Sequence, residues 1–486
     1  MKNIFPILLF GTALFVASCS VDKEPYDGFS ESQILGNKAN LEAATLGNYA
    51  LIKSDAYVRN YHIMVEYASD NVALSGTTTD PLFFSYNYGH LTNQANTNSF
   101  WRQAYAVING ANKIIEAIPN PEDAEQKQLI GENYFLRAMA YFDLVNIFGR
   151  PYSQSPETNL GVPLVLKSDI TALPDRNTVK EVYTQILSDL QTAETLMTIN
   201  KKLGYATKEA AQALLARVYL FMGDYIKALS YADAVIKSGR FSLYPGSGLA
   251  NLFIDHSDNN KEIIFAIKHN IKDDRGWGAI GSMYYTSPGG VGYGEMYASR
   301  SLRDLYAKYP NDLRAGFIVP KYKPNTTEIE TRNGYPKYFI TKYSNQEGIA
   351  TLSSPVYLRL ADMYLIRAEA NAKLGNNEAA IEDVNRIRTR AGLSGNELYT
   401  TTDLKGKASV LEVVLEERRL ELAFESSRKL DLFRNNLDLV RDYPGTHAAG
   451  GPTGSGNQLI KATDARVVHF IPENETVLNK NLQQNP

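Results

Sequence analysis

Two copies of one helical pair set the terms on which this chain folds. Residues 208–239 read KEAAQALLARVYLFMGDYIKALSYADAVIKSG. Leu214, Val218 and Phe221 recur at spacings of four and three, Gly223-Asp224 interrupts the run, and Ala228, Ala232 and Val235 resume the spacing. That period puts the apolar residues on one stripe of each of two helices, with a tight turn between them. Ala216 and Ala228 are small enough to let the two helices approach closely. Such a unit cannot bury its stripe alone and has to stack on neighbours.

The neighbours are in the chain. In RLADMYLIRAEANAKLGNNEAAIEDVNRIRTRAG (359–392), setting Gly375 on Gly223 puts Ala368 on Ala216 and Ala380 on Ala228. FLRAMAYFDLVNIFG (135–149) keeps the first-helix spacing through Ala138 and Tyr141, and its second helix is expected at VKEVYTQILSDLQTAETL (179–196), after a proline-containing excursion. A fourth unit pairs the helix around 409–425 with the residues after it. Tyr219 and Gly223 fall where a tetratricopeptide repeat places them. The expectation is a mainly α, tetratricopeptide-like scaffold within one domain over 30–486, with helices about 100–149, 179–239, 357–392 and 409–434.

Between the helices lie two long insertions, 70–100 and 241–356, rich in Gly, Pro, Asn, Ser and Tyr and with little helical periodicity. KEIIFAIKHN and PKYFITKYS cluster β-formers and predict short strands. Structureless loops of such length are uncommon unless they carry function or fold into a subdomain.

The start of the chain follows a different logic. Ile4 to Val16 is apolar apart from Thr12, with Lys2 upstream, and Val16-Ala17-Ser18 leads into Cys19, the one cysteine of 486 residues. A basic start, a short apolar run and small residues describe an export signal, too short to span a bilayer. The four residues VASC resemble the lipobox of bacterial lipoproteins, which implies a signal peptide over 1–18, lipid on Cys19 and a tether over 19–29. With no second cysteine, the exported chain forms no internal disulfide. A net charge of −3 with 44% hydrophobic residues describes an ordinary globular protein and argues against a nucleic-acid partner.

Taken in order, VASCS, FWRQAYAVINGANKIIEAI (100–118), ENYFLRAMAYFDLVNIFGRPY, GYATKEAAQALLARVYLFMGDY, SSPVYLRLADMYLIRAEANAKLGNNEAAIEDVNRIRTRAGL, VLEVVLEERRLELAFESSRKLDLFR (410–434) and the closing VVHFIPENETVLNKNLQQNP resemble the SusD/RagB family of cell-surface nutrient-binding lipoproteins. His469-Phe470 stands where that family often has leucines. The resemblance implies a lipid-anchored protein on the outer face of the outer membrane, partnered by a SusC-like TonB-dependent transporter. It implies non-catalytic capture of a nutrient, most often a glycan, with no cofactor. Within the same resemblance, a RagB-type peptide binder and a scaffold lid with little affinity of its own are the alternatives. A surface hydrolase with an unrecognised carboxylate pair is the rival outside it.

A glycan offers flat apolar ring faces edged with hydroxyls, so its binder needs aromatic faces beside hydrogen-bonding groups. With 31 Tyr against 2 Trp, an aromatic platform here is mostly tyrosine. The first insertion offers Phe84, Tyr86 and Tyr88, on one side if PLFFSYNYGH is extended, flanked by Asp70 and Asn71. The second offers Trp277, Tyr284, Tyr285 and Tyr293 among seven glycines from Gly276 to Gly294. Trp101, at helical spacing from Tyr105 and Ile108, reads as core. GGVGYG lacks the strand, helix and lysine of a phosphate loop, and the six histidines show no metal-ligand spacing. DHSDNN (255–260) lacks the glycine and closing glutamate of a calcium loop. LEERRLELAFE reads as a helix whose Glu/Arg pairs four apart support it.

Overall fold

The computed structural model of the protein describes residues 38–76, 81–169, 171–332, 335–443, 446–447 and 456–486. The expected signal peptide (1–18), Cys19 and the tether (19–29) lie outside the described residues. Helix is the dominant element among the described residues, and the strands are two to five residues long. The fold is therefore mainly α, as the periodicity predicts.

The chain opens with α1 (Lys38–Ile52), α2 (Val58–Val65), β1 (Val72–Gly76) and α3 (Pro81–Asn87). Long helices follow: α4 (Ala95–Ala117), α5 (Ala124–Phe148), α6 (Val179–Leu196), α7 (Lys208–Met222) and α8 (Tyr225–Lys237). The second insertion holds β2 (Ile263–Ala266), α9 (Ile280–Tyr284), β3 (Met296–Ala298), α10 (Arg300–Ala307), β4 (Ile318–Pro320), β5 (Thr331–Arg332), β6 (Tyr335–Pro336), β7 (Tyr338–Ile340) and β8 (Val356–Arg359). Then come α11 (Leu360–Lys373), α12 (Asn377–Arg390), α13 (Val410–Glu421), α14 (Arg428–Arg434), β9 (Leu439–Tyr443), β10 (Thr446–His447), β11 (Gly456–Ile460) and α15 (Glu473–Leu478). No helix among the described residues is long and apolar enough to cross a membrane.

The helices pack in series. α1 lies on α4, α4 on α5, α5 on α6, α6 on α7, α7 on α8, α8 on α11, and α11 on α12 and α13. Local chemistry sets the breaks. Thr207 caps α7 by accepting from the Ala210 N–H at 3.3 Å. Gly223 ends it at φ +80°, and the Asp224 N–H returns to the Tyr219 carbonyl at 3.0 Å. Gly375 does the same after α11, at φ +82° with Asn376 N–H on Asn371 O at 2.8 Å. This is the left-handed C-terminal cap that favours glycine. Ala216, Ala228, Ala368 and Ala380 are all fully buried, so the small residues aligned in the two repeats sit where paired helices touch. Arg137 on α5 grips Asp189 on α6 with contacts of 2.8 and 2.6 Å, joining the pair split by the excursion between them. Trp101 is buried edge-on against Phe148, 4.9 Å between centroids.

The second insertion leaves and re-enters the helical series at one neck, where β2 and β8 pair antiparallel (Ile263 opposite Arg359). β2 lies within KEIIFAIKHN and β7 within PKYFITKYS, as expected, whereas β8 falls outside both stretches. The first insertion joins the second through β1 and β3, with Val72 opposite Ala298.

Two expectations are corrected. PLFFSYNYGH is not extended: Pro81 opens α3 at the first helical position, where its missing N–H is no loss, and Tyr88 closes the segment at φ +59° with the Gly89 N–H on Phe84 O at 3.0 Å. α4 begins at Ala95, so the last part of the stretch read as insertion is helical. LEERRLELAFE is helical only as far as Glu421, after which Phe424 turns the chain at φ +70°, and its Glu417, Arg418 and Glu421 are buried. Their partners lie on other elements: Arg314 and Arg388 hold Glu417, Asp431 holds Arg418, and Arg359 and Arg390 hold Glu421.

Candidate functional site

The segment 270–295 builds one surface feature from a chain of local contacts. Lys53, just past α1, binds Asp273 at 2.7 Å and pins the segment to the scaffold. Asp274 accepts from the Gly276 N–H at 3.1 Å and from the Thr351 hydroxyl at 3.2 Å. The short turn Gly276–Gly278 then lifts Trp277 outward, and α9 follows with all five residues buried. Beyond it, residues 285–294 fold back as a tight loop closed by Ser287 N–H to Val291 O at 2.8 Å and by the Thr286 hydroxyl to Gly292 O at 3.1 Å.

Ser282 joins the two ends. Its hydroxyl donates to the Trp277 carbonyl at 2.8 Å, and its own carbonyl accepts the N–H groups of Tyr293 at 2.6 Å and Gly294 at 2.9 Å. Gly292 makes the return possible: at φ +101° its missing Cβ would collide with the Tyr285 carbonyl. The result is an aromatic corner. Trp277 and Tyr293 meet edge to face, 4.7 Å between centroids at 68°, and remain 46% and 50% exposed. A Cβ on Gly278 would lie 3.2 Å from Asp55 Oδ2, so this carboxylate from the α1–α2 connection borders the Trp277 turn. Arg275, next to the same turn, is exposed.

The remaining sequence candidates sit elsewhere. Tyr285 is half-buried, edge-on to Phe339 at 5.5 Å. Tyr284 is fully buried, hydrogen-bonded to His62 Nε2 at 2.7 Å, and burial pushes its hydroxyl pKa well up. Tyr86 is buried beneath the Arg441 guanidinium, 3.9 Å from its ring. Tyr88 is buried with its hydroxyl on Ala68 O at 2.7 Å, and Phe84 is half-buried, edge-on to Phe83 at 5.4 Å. Asp70 and Asn71 act as a staple between the first insertion and α13–α14. Arg428 holds Asp70 at 2.9 and 3.0 Å, and Arg419 donates to Asn71 Oδ1 at 3.0 Å. Burial pushes the Asp70 carboxyl up, and the guanidiniums of Arg419 and Arg428 more than reverse this, leaving it well below the usual range. Of the nine ligand candidates, only Trp277 and Tyr293 are brought together at the surface. Asp55 and Ser282 went unsingled in the sequence, since nothing local marks either one.

Two carboxyls carry pKa values near neutrality, and both are interior. Burial raises Asp143 to about 7, although it accepts from Tyr57 at 2.7 Å and Tyr357 at 2.8 Å. Burial likewise raises Glu66 to about 7, although the N–H groups of Phe424 and Ser426 donate to it at 3.1 and 2.9 Å. Among the described residues, no group of three or more His, Asp or Glu converges as a metal site does.

Comparison with known proteins is consistent from end to end. The family model described as "SusD family" matches residues 273–486, and the one described as "Starch-binding associating with outer membrane" matches 21–220. SusD-like protein P38 of Formosa agariphila is 27% identical over 478 residues, 90% of this chain and 92% of its own length. Starch-binding protein SusD of Bacteroides thetaiotaomicron is 24% identical over 452 residues, covering 77% of this chain and 75% of its own. The crystal structure of a SusD superfamily protein from Bacteroides thetaiotaomicron superposes with a TM-score of 0.82 at 28% identity, covering 92% of this chain and 99% of that one.

Proposed function

Because the chain belongs to the SusD family, we propose that it captures a nutrient glycan at the cell surface without cleaving it, and delivers it to a SusC-like TonB-dependent transporter in the outer membrane. Acyl chains on Cys19 hold it there, since several exceed the two signals that stable anchoring takes.

The observation that carries this reading is the exposed Trp277–Tyr293 corner. Two ring planes at 68° receive a pyranose face on one side and close over its edge on the other. Asp55, which borders the Trp277 turn, offers a carboxylate acceptor to sugar hydroxyls. A rigid backbone behind two open rings keeps the ordering cost of binding low. The burial of Glu66 and Asp143 within internal hydrogen bonds supports capture over hydrolysis, because neither faces the corner's solvent.

Calorimetry against neutral oligosaccharides and short peptides tests the proposal. Saturable glycan binding, weakened about tenfold in Trp277→Ala, is the expected result, the size of one lost stacking contact. Binding of peptides alone would replace it with peptide capture. Silence across both, with transport intact, would leave a scaffold lid, and release of new reducing ends from any glycan would make the protein a hydrolase.

A further inference from the structure

A concavity lies away from the aromatic corner, where the second insertion departs from the helical series. It is a cleft of about 400 Å³ between the α6–α7 connection, the end of α8 and the approach to β2. Lys201, Lys202, Arg240 and Lys261 line it, with the rings of Tyr205 and Phe241, against a single lining acid, Asp258.

The cations divide into two kinds. Lys201 is paired with Glu132 at 2.5 Å and lies over the Tyr205 ring at 5.0 Å. Arg240 is paired with Glu209 and lies over Phe241 at 5.8 Å. Both are therefore fixed in place and largely neutralised. Lys202 and Lys261 are exposed, and neither has an acidic partner among the described residues. The N-terminus of α7 opens at Thr207 in the same wall and adds the positive end of a helix dipole. With Asp258 set against Lys202 and Lys261, the concave wall keeps a net positive charge and focuses positive potential outward. In a chain of net charge −3 this is a local reversal of sign. The rings and the cations together select a ligand with both a flat apolar face and a negative substituent.

We infer that this cleft is a second glycan subsite, specific for an acidic sugar whose ring carries a carboxylate or a sulfate. The sugar packs into the cleft beside Tyr205 and Phe241, and its anionic group is held by Lys202 and Lys261. The inference rests on the glycan reading of the protein but not on the Trp277–Tyr293 corner, which shares no residue with it.

The test uses the full chain in detergent and three probes: a short oligogalacturonate, its methyl ester with the same rings and no charge, and a sulfated galactan fragment. At least one anionic probe is expected to bind, more weakly as salt rises, while the methyl ester does not compete. The double variant Lys202→Ala/Lys261→Ala is expected to weaken that binding roughly five- to tenfold, as removal of two exposed charge contacts does. Arg466→Met, which removes an exposed cation away from the cleft, is expected to leave it unchanged. Equal competition by the methyl ester, an unaltered affinity in the double variant, or no binding of either anionic probe would each overturn the inference. Loss of neutral-glycan binding in Trp277→Ala reports on the corner alone, so either site can fail without the other. Binding of only the galacturonate or only the sulfated probe decides between carboxylate and sulfate.

Discussion

The Ser282 hydroxyl donates to the carbonyl of Trp277 at 2.8 Å, while the Ser282 carbonyl takes the N–H of Tyr293 at 2.6 Å. One buried serine thus sets the spacing of both exposed rings. Ser282→Ala keeps the second contact and deletes the first, freeing the Trp277 turn. Glycan affinity is expected to fall several-fold while the stability loss stays near 1 kcal/mol, that of one hydrogen bond. Titration of the variant beside thermal denaturation separates the two, and an undiminished affinity would show that the turn holds Trp277 without this contact.

Gly292 is the other half of the device. At φ +101°, with the Tyr285 carbonyl where a Cβ would stand, no side chain fits without moving the loop. Gly292→Ala is expected to destabilise the protein by about 1–3 kcal/mol, the range for strained backbone, and to displace Tyr293. Quenching of Trp277 fluorescence by its neighbour gives a direct readout. An unchanged emission spectrum with full stability would mean that the loop closes some other way.

The parts of this molecule that were readable in advance are those decided locally. Gly223 and Gly375 end their helices because only glycine takes a left-handed cap without strain, and the four buried alanines follow from helical period. The aromatic richness of both insertions was also legible. Which rings stay exposed was not: Tyr86 is covered by Arg441, which arrives 355 residues later in the chain, and no neighbour in sequence announces it. The burial of LEERRLELAFE escaped for the same reason, since its partners Arg314, Arg359 and Arg388 lie on distant elements. Pro81 was a local signal for α3, masked by an aromatic alternation that suits a strand equally well.

The neck of the second insertion is an electrostatic clasp. Arg359 on β8, fully buried, binds Glu262 at 2.7 Å, Glu421 at 2.6 Å and Glu425 at 2.8 Å. Removing the cation leaves carboxylates buried with fewer partners, so Arg359→Met is expected to cost about 3 kcal/mol in urea denaturation. Arg466→Met, which breaks an exposed pair with Asp464, is expected to cost less than about 0.5 kcal/mol. Equal losses in the two variants would contradict the clasp.

The interior carboxyls give the protein a stability that depends on pH, with the sign set by each pKa. Asp143, raised to about 7 by burial, binds its proton more tightly folded than unfolded. Its contribution is therefore fully present below the ordinary carboxyl range, about 4, and is lost as pH rises through about 7. Asp70 runs the other way: held low by Arg419 and Arg428, it stabilises above about pH 4, and that contribution is lost as pH falls through its depressed pKa. Asp143→Asn preserves acceptance from one tyrosine hydroxyl and lets its amide donate to the other, so it folds without a titrating group. Relative to wild type, this variant is expected to gain in Tm between about pH 5 and pH 8, whereas Asp70→Asn loses most at neutral pH and converges with wild type in acid. A Tm difference between wild type and Asp143→Asn that stays flat across that window would mean that Asp143 does not titrate there, and the tyrosine cage would then be holding it ionised throughout.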